Sequence, residues 1–240
     1  MREYDIYGNR IDNRTPIEKK RDFWRIIAYI IMVLDVLTII ATCFMGYAYT
    51  TVVINDDMCY KPIIYIYPEE ETNIEVSLGY PEKITCSYPE YEESWNVLAK
   101  PDGTLIDSKT NRELYSLYWE GAGTIKARDN KGFVVKGENT AEFLEEKLEV
   151  LGLNYKEAQE FIIYWLPKMQ ENKYNYIRFA SMEEINEYMP LEISEEPDTL
   201  IRVFMQYKLL DKYVEVEAQE LESVKREGFT VVEWGGTDLK

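Results

Sequence analysis

Residues 24–54 read WRIIAYIIMVLDVLTIIATCFMGYAYTTVVI, and this run decides how the rest of the chain is organised. Between Ile26 and Ile54 the one charged residue is Asp35. At about 1.5 Å per helical residue, even Arg25–Gly46 covers the ~30 Å hydrocarbon core of a bilayer. A helix satisfies its own backbone groups, so such a stretch can cross lipid. Trp24 stands at one end and Tyr47 and Tyr49 at the other, where interfacial aromatics are expected. The reading is a tail over 1–23, a transmembrane signal-anchor helix over 24–54, and one folded domain over 55–240.

Flanking charge sets the expected direction. Arg14, Lys19, Lys20, Arg21 and Arg25 precede the helix, while Asp56 and Asp57 follow it. Basic residues are retained on the cytoplasmic side, so the tail is expected inside the plasma membrane and the domain outside it. The apolar run exceeds the roughly 7–15 residues of a signal-peptide core, and Gly46-Tyr47-Ala48 is a poor cleavage site, so the helix is read as an uncleaved anchor. Asp35 admits three readings. It could contact a partner helix within a membrane complex, at an insertion cost of about 2.5–3.5 kcal/mol near the bilayer centre. It could sit at the inner interface if the span shifts to Val36–Ile54, or be carried as a neutral acid.

Seven of the 27 basic residues lie at or before Arg25 and six of the 44 acidic residues at or before Asp35. That leaves 20 basic against 38 acidic residues beyond the helix, a net charge of −18. Such a surface repels nucleic acid, so no nucleic-acid partner is expected. The chain has no histidine, which removes serine–histidine and cysteine–histidine nucleophile pairs and the common zinc sites. No metal or other cofactor is expected. Of three cysteines, Cys43 lies in the apolar helix and Cys59 and Cys86 in the domain. In an oxidising compartment Cys59 and Cys86 are expected to form a disulfide.

Ile63–Tyr67 is a β-branched and aromatic run, and Ile74, Val76 and Leu78 alternate with polar neighbours, the pattern of half-buried strands. Trp95–Ala99 and Thr104–Ile106 flank the turn Pro101-Asp102-Gly103, which predicts a hairpin. Further strands are expected at Leu114–Trp119 and Gly132–Val135. Asn139 with Glu142 and Asn154 with Glu157 carry helix-capping spacing before apolar stripes, and these predict a helical hairpin. Ser181 and Glu184 mark a shorter helix. Leu200–Tyr207, Val214–Glu217 and Phe229–Trp234 return to strand pattern. The order is a β-rich block (59–136), a helical block (139–189) and a second β-rich block (193–236), an α+β domain of mainly antiparallel strands.

Cys59-Tyr60-Lys61-Pro62-Ile63-Ile64-Tyr65-Ile66-Tyr67-Pro68 resembles the opening of a family of uncharacterised microbial cell-envelope proteins. The likeness continues through Trp95-Asn96-Val97, Pro101-Asp102-Gly103-Thr104-Leu105, Tyr118-Trp119-Glu120-Gly121 and Gly132-Phe133-Val134-Val135-Lys136-Gly137. Tyr164-Trp165-Leu166-Pro167, Arg202-Val203-Phe204-Met205 and Val232-Glu233-Trp234-Gly235-Gly236 complete it. The resemblance implies a signal or anchor followed by one extracytoplasmic domain, and carries no activity with it.

One constellation carries chemistry. Glu120 follows Trp119 and Glu233 precedes Trp234, each beside glycine. Two carboxylates near aromatic platforms are what a glycoside hydrolase needs, one as acid and one as base or nucleophile. The plainer reading has both tryptophans in the core and the glutamates paired with Arg202 or Lys136. Asp102-Gly103 and Asp129-Asn130-Lys131-Gly132 lack the alternating acids of a calcium loop and read as turns. The leading expectation is a tethered binding or interaction module for a protein or glycan partner. A hydrolase of envelope glycans built on Glu120 and Glu233, and a complex subunit joined through Asp35, are the alternatives.

Overall fold

The computed structural model describes residues 6–7, 15–54 and 58–239, with residues 46–54 given by their backbone alone. The expected interfacial rings of Tyr47 and Tyr49, the Asn55-Asp56-Asp57 spacer and most of the tail lie outside what it describes. The chain divides into two units, Met1–Asn55 and Asp56–Lys240.

The first unit is helix α1 (Pro16–Ile54). It starts well before Trp24, because Thr15-Pro16-Ile17-Glu18 is a capping box. The Glu18 N–H donates to Thr15 Oγ1 (3.3 Å) and the Thr15 N–H to Glu18 Oε2 (2.8 Å). Pro16, within the expected tail over 1–23, takes the first helical position, where a missing N–H costs nothing. Pro16–Met45 is long and apolar enough to cross a membrane, and none of its most apolar window is buried within the chain. Asp35 is exposed on it. Thr38 Oγ1 donates to the Asp35 carbonyl (2.7 Å) and Thr42 Oγ1 to the Thr38 carbonyl (3.0 Å), so both hydroxyls find acceptors inside the helix.

The second unit begins with strands β1 (Met58–Tyr67), β2 (Thr72–Leu78), β3 (Ile84–Tyr88), β4 (Trp95–Ala99), β5 (Leu105–Asp107), β6 (Glu113–Leu114), β7 (Leu117–Ala122) and β8 (Phe133–Lys136). Helices α2 (Thr140–Val150) and α3 (Tyr155–Met169) follow, then β9 (Tyr174–Phe179), α4 (Met182–Tyr188), β10 (Leu191–Ile193), β11 (Thr199–Leu210) and β12 (Thr230–Asp238). Seven strands make one sheet, in the order β3-β7-β1-β12-β11-β9-β8, and five make another, β10-β2-β4-β5-β6. Every pairing is antiparallel except β11 with β12.

Side-chain alternation sorts the large sheet's residues onto two faces. Ile63, Tyr65, Ile201, Val203, Val232 and Trp234 meet Leu144, Leu148, Phe161 and Trp165 of the helical hairpin. Ile64, Ile66, Trp119, Phe204 and Val231 meet Ile74, Val76, Trp95, Val97 and Leu105 of the small sheet, with Ile185 of α4. The domain is thus three layers: helices, large sheet, small sheet. Trp119, Trp165, Trp234, Phe161 and Phe204 are fully buried, and truncating any one to alanine is expected to cost roughly 3–5 kcal/mol.

The mixed α and β character is as expected, with differences in detail. The Asn154–Glu157 and Ser181–Glu184 capping boxes form, whereas Asn139 caps α2 without a side-chain bond. Strand β9 interrupts the helical block. Val214–Glu217 forms no regular strand; residues 211–229 are a helix-free crossover between the parallel strands, held by an isolated bridge from Ala218 to Gly132. Further on, Val224 N–H donates to the Val150 carbonyl (3.1 Å) and Arg226 Nε to the Gly152 carbonyl (2.8 Å).

The expected Cys59–Cys86 disulfide does not form, and all three cysteines are free. Cys59 on β1 stands opposite Gly121 of β7, and Cys86 on β3 opposite Glu120 of β7. With β7 between them, the two cysteines are two strand spacings apart, ~10 Å, beyond the ~7 Å that a disulfide spans. Cys59 is buried and Cys86 exposed. Burial first, then the Glu233 carboxylate, push the Cys59 thiol well above its ordinary value, so it stays protonated and unreactive.

Candidate functional site

Glu120 and Glu233 are not a catalytic pair. Glu233 on β12 points between the sheets, where its side chain and that of Arg202 are both fully buried and 2.7 Å apart. Trp119 Nε1 donates to Glu233 Oε1 (2.9 Å), and Arg202 also donates to Asn186 Oδ1 (2.6 Å) and the Met189 carbonyl (2.9 Å). Arg178 makes a second anchor, donating to Glu184 Oε2 (2.9 Å) and to Gln206 Oε1 (2.5 Å). These two buried arginines fasten α4 to the sheet, a structural use of charge. Glu120 lies on the opposite face of the same sheet, since it follows Trp119 in the strand. Two carboxylates on opposite faces cannot flank one glycosidic bond.

The tryptophans offer no platform either. Trp119 stacks on Tyr188 (6.4 Å, 22°) between the sheets, and Trp234 meets Phe161 edge-on (5.3 Å) beneath α3. Both are fully buried. Among the described residues, no three Cys, Asp or Glu side chains are grouped to hold a metal ion.

Two cavities on the helical side do bring functional groups together. The first, about 550 Å³, is lined by Tyr65 and Tyr67 of β1, the Asp102-Gly103-Thr104 turn, Glu113, Leu114, Tyr115 and the first turns of α3. The Tyr65 and Tyr67 rings stack (6.5 Å, 7°), and Tyr115 lies 6.5 Å from Tyr65 and is 62% exposed. Gly103 has φ +88° and packs so close to the Tyr67 ring that a Cβ there would lie 2.6 Å from it, so the turn roofs that ring. Tyr67 donates to Glu157 Oε1 (2.8 Å) and Tyr65 to Glu160. Burial, then these carboxylates, push both phenols up, so both remain protonated donors. Glu157 is already committed: it closes the α3 capping box and pairs with Arg226. Asp102, Glu113 and Glu160 outnumber Lys156 among the lining side chains, and the Arg226 guanidinium paired with Glu157 lies 5.7 Å from the Tyr67 ring centre.

The second cavity, about 290 Å³, is lined by Met58, Tyr60, Tyr164, Trp165, Lys168, Tyr207 and Asp238. Lys168 Nζ sits 3.3 Å and Lys61 Nζ 5.0 Å from the Tyr164 ring centre. Burial lowers the Lys168 pKa, helped by Lys61 and opposed by Glu120 and Asp238. Burial, then Glu120 and Tyr60, push the Tyr164 phenol up to about 12. Glu120 itself accepts from the Lys61 N–H (3.3 Å).

Sequence reasoning offered the Arg202 pairing that Glu233 makes, but gave no site role to the residues around Glu120. Tyr65, Tyr67 and Tyr115 appeared as strand aromatics, and their shared wall depends on a turn and a helix end distant in sequence. Comparison of the chain with family models, curated proteins and solved structures finds no match.

Proposed function

We propose that the chain is a membrane-anchored binding protein whose folded domain takes a cationic group, a protonated amine or guanidinium on a partner molecule, in the tyrosine-lined cavity. α1 would span the bilayer with its basic flank in the cytoplasm and the acidic domain in the extracytoplasmic space, as the charge bias and the cell-envelope resemblance both favour. The observation that carries the reading is the pairing of Tyr65, Tyr67 and Tyr115 with the carboxylates of Asp102, Glu113 and Glu160 around one cavity. Aromatic faces attract cations, by ~0.5–2 kcal/mol each, as Arg226 already does beside Tyr67, and the three carboxylates favour the same charge. A single ammonium held this way is worth ~4 kcal/mol, a millimolar affinity.

The test is calorimetry on the full chain in lipid nanodiscs with spermidine, tetramethylammonium and maltose as probes. The two cations should bind and maltose should not. Added salt should weaken binding, and Tyr115→Ala, at an exposed ring, should weaken it about five-fold or more without changing the melting temperature. Maltose binding in place of the cations would turn the site into a glycan site. Binding of no probe would leave the tyrosines as packing residues. Orientation is read separately: a membrane-impermeant maleimide should label the exposed Cys86 on intact cells, and labelling only after lysis would reverse the topology.

A further inference from the structure

Anchoring alone makes no use of Asp35. With α1 spanning the bilayer as proposed, on which all that follows rests, Asp35 stands near mid-depth. It is ten residues after Arg25 and eleven before Gly46. Those are about 15 and 16 Å of helix in a hydrocarbon core of ~30 Å. Ionisable side chains at such a depth almost always face another protein element and pair with it. Among the described residues the Asp35 carboxylate has no hydrogen-bond or ion-pair partner, and none of the helix's most apolar window is buried within the chain.

The residues sharing its face form a seam. At about 100° per residue, Thr38 and Thr42 fall roughly 60° and 20° from Asp35 around the helix, and Ala28 and Ile31 roughly 20° and 40°. No other residue of Ile26–Met45 falls in that strip, which is about 80° wide. The alternating spacing of three and four residues from Ala28 to Thr42 is that of a left-handed helix pair. Asp35 is the only charge between Ile26 and Met45, and Thr38 and Thr42 are the only aliphatic hydroxyls, so these polar groups are gathered on one seam. Its chemistry is one-sided. Thr38 Oγ1 donates its proton to the Asp35 carbonyl (2.7 Å) and Thr42 Oγ1 to the Ile39 carbonyl (2.9 Å). Each hydroxyl is left with acceptor capacity alone. The seam therefore offers a carboxylate, two hydroxyl acceptors and no donor.

We infer that this seam binds a second transmembrane helix that carries a lysine or arginine at mid-depth, paired with Asp35 and flanked by the Thr38 and Thr42 hydroxyls. Lysine and arginine donate and never accept, which complements the seam in both charge and hydrogen bonding. A second copy of α1 is the wrong partner. Asp35 is central, so pairing in either direction sets carboxylate against carboxylate and acceptors against acceptors.

The test uses the full chain in lipid vesicles with a donor dye at its N-terminus. The probe is a designed leucine–alanine transmembrane helix with one central lysine and an acceptor dye. Energy transfer over a series of lipid dilutions gives the association constant. The lysine helix should associate about ten-fold more tightly than the same helix with a central leucine. Asp35→Leu should erase that difference and Asp35→Glu should keep it. Thr38→Val with Thr42→Val should weaken the lysine helix about three-fold, while Val33→Ala with Ile40→Ala, on the far side of α1, should leave it unchanged. Resistance to alkaline carbonate reads insertion separately. A chain stripped from the vesicles would overturn the anchor reading and the seam together; a chain retained with no preference for lysine over leucine would overturn the seam alone. A preference that survives Asp35→Leu, or a far-side pair as damaging as the threonine pair, would overturn it too. Copies of the chain associating with one another as tightly as with the lysine helix would overturn the choice of partner.

Discussion

Glu233→Gln is the sharpest perturbation of this fold. The substitution keeps the side chain's shape and an oxygen for the Trp119 indole N–H, but replaces the oxygen that accepts from Arg202 with an amide NH2, so it removes the charge and one acceptor. Both side chains are fully buried, so water cannot replace what is lost. The guanidinium would keep Asn186 Oδ1 and the Met189 carbonyl but no counter-charge. Breaking one side of a buried pair costs about 3–5 kcal/mol. For a domain of this size each kcal/mol lowers the melting temperature by about 2–4 °C, so the expected loss is roughly 6–20 °C. Adding Arg202→Met removes the stranded cation, at the cost of leaving the Met189 carbonyl unpaired. The double variant should therefore recover about half the loss, ~2 kcal/mol. Urea unfolding of the full chain in detergent, followed by tryptophan fluorescence, measures both. A Glu233→Gln variant within ~1 kcal/mol of the parent would refute the reasoning, as would a double variant no more stable than the single.

Three other outcomes follow from particular contacts. With free cysteines, a reducing agent should leave the melting temperature unchanged; Cys86 should react with a maleimide in the native state and Cys59 only after unfolding, and a bridged Cys59–Cys86 peptide would contradict this. Gly137→Ala should destabilise by about 2 kcal/mol or more in the same urea titration, because its Cβ would lie 2.1 Å from the Asn172 carbonyl oxygen and 2.5 Å from that of Gln170. Burial opposes ionisation of Glu184, but the Ser181 and Arg128 N–H groups and the Arg178 guanidinium outweigh it and hold the carboxyl below 4.5. A folded value below the unfolded one gives stability that is present above about pH 4.5 and lost as pH falls through the folded value. Glu184→Gln should flatten that acid limb, and an unchanged limb in a pH series of melts would count against the assignment.

Local signals in the chain were legible where a single segment decides them. The apolar helix, two of the three domain capping boxes and most strands follow from spacing and residue type. The helix start at Pro16 was not legible because proline breaks a helix interior but favours its first turn, and only the Thr15–Glu18 exchange tells the two apart. Strand β3 is a short edge whose residues are all exposed or half-buried, so it lacks the alternation that marks a strand. What one segment cannot decide is which strand lies beside which. Glu120 and Trp119 must face opposite ways, as must Glu233 and Trp234, yet whether the two glutamates share a face depends on the phase of two strands separated by β1. The cysteines failed for the same reason, with β7 arriving from elsewhere to part them.

The place of β12 has a consequence in time. β1, the first strand of the domain to be made, pairs on one side with β7 and on the other with β12, and β12 also supplies the parallel partner of β11. A ribosome therefore releases β1 long before its second neighbour exists, and the centre of the large sheet stays unzipped until Thr230–Asp238 has emerged. The centre of the large sheet therefore closes late, with the slow kinetics of long-range pairing.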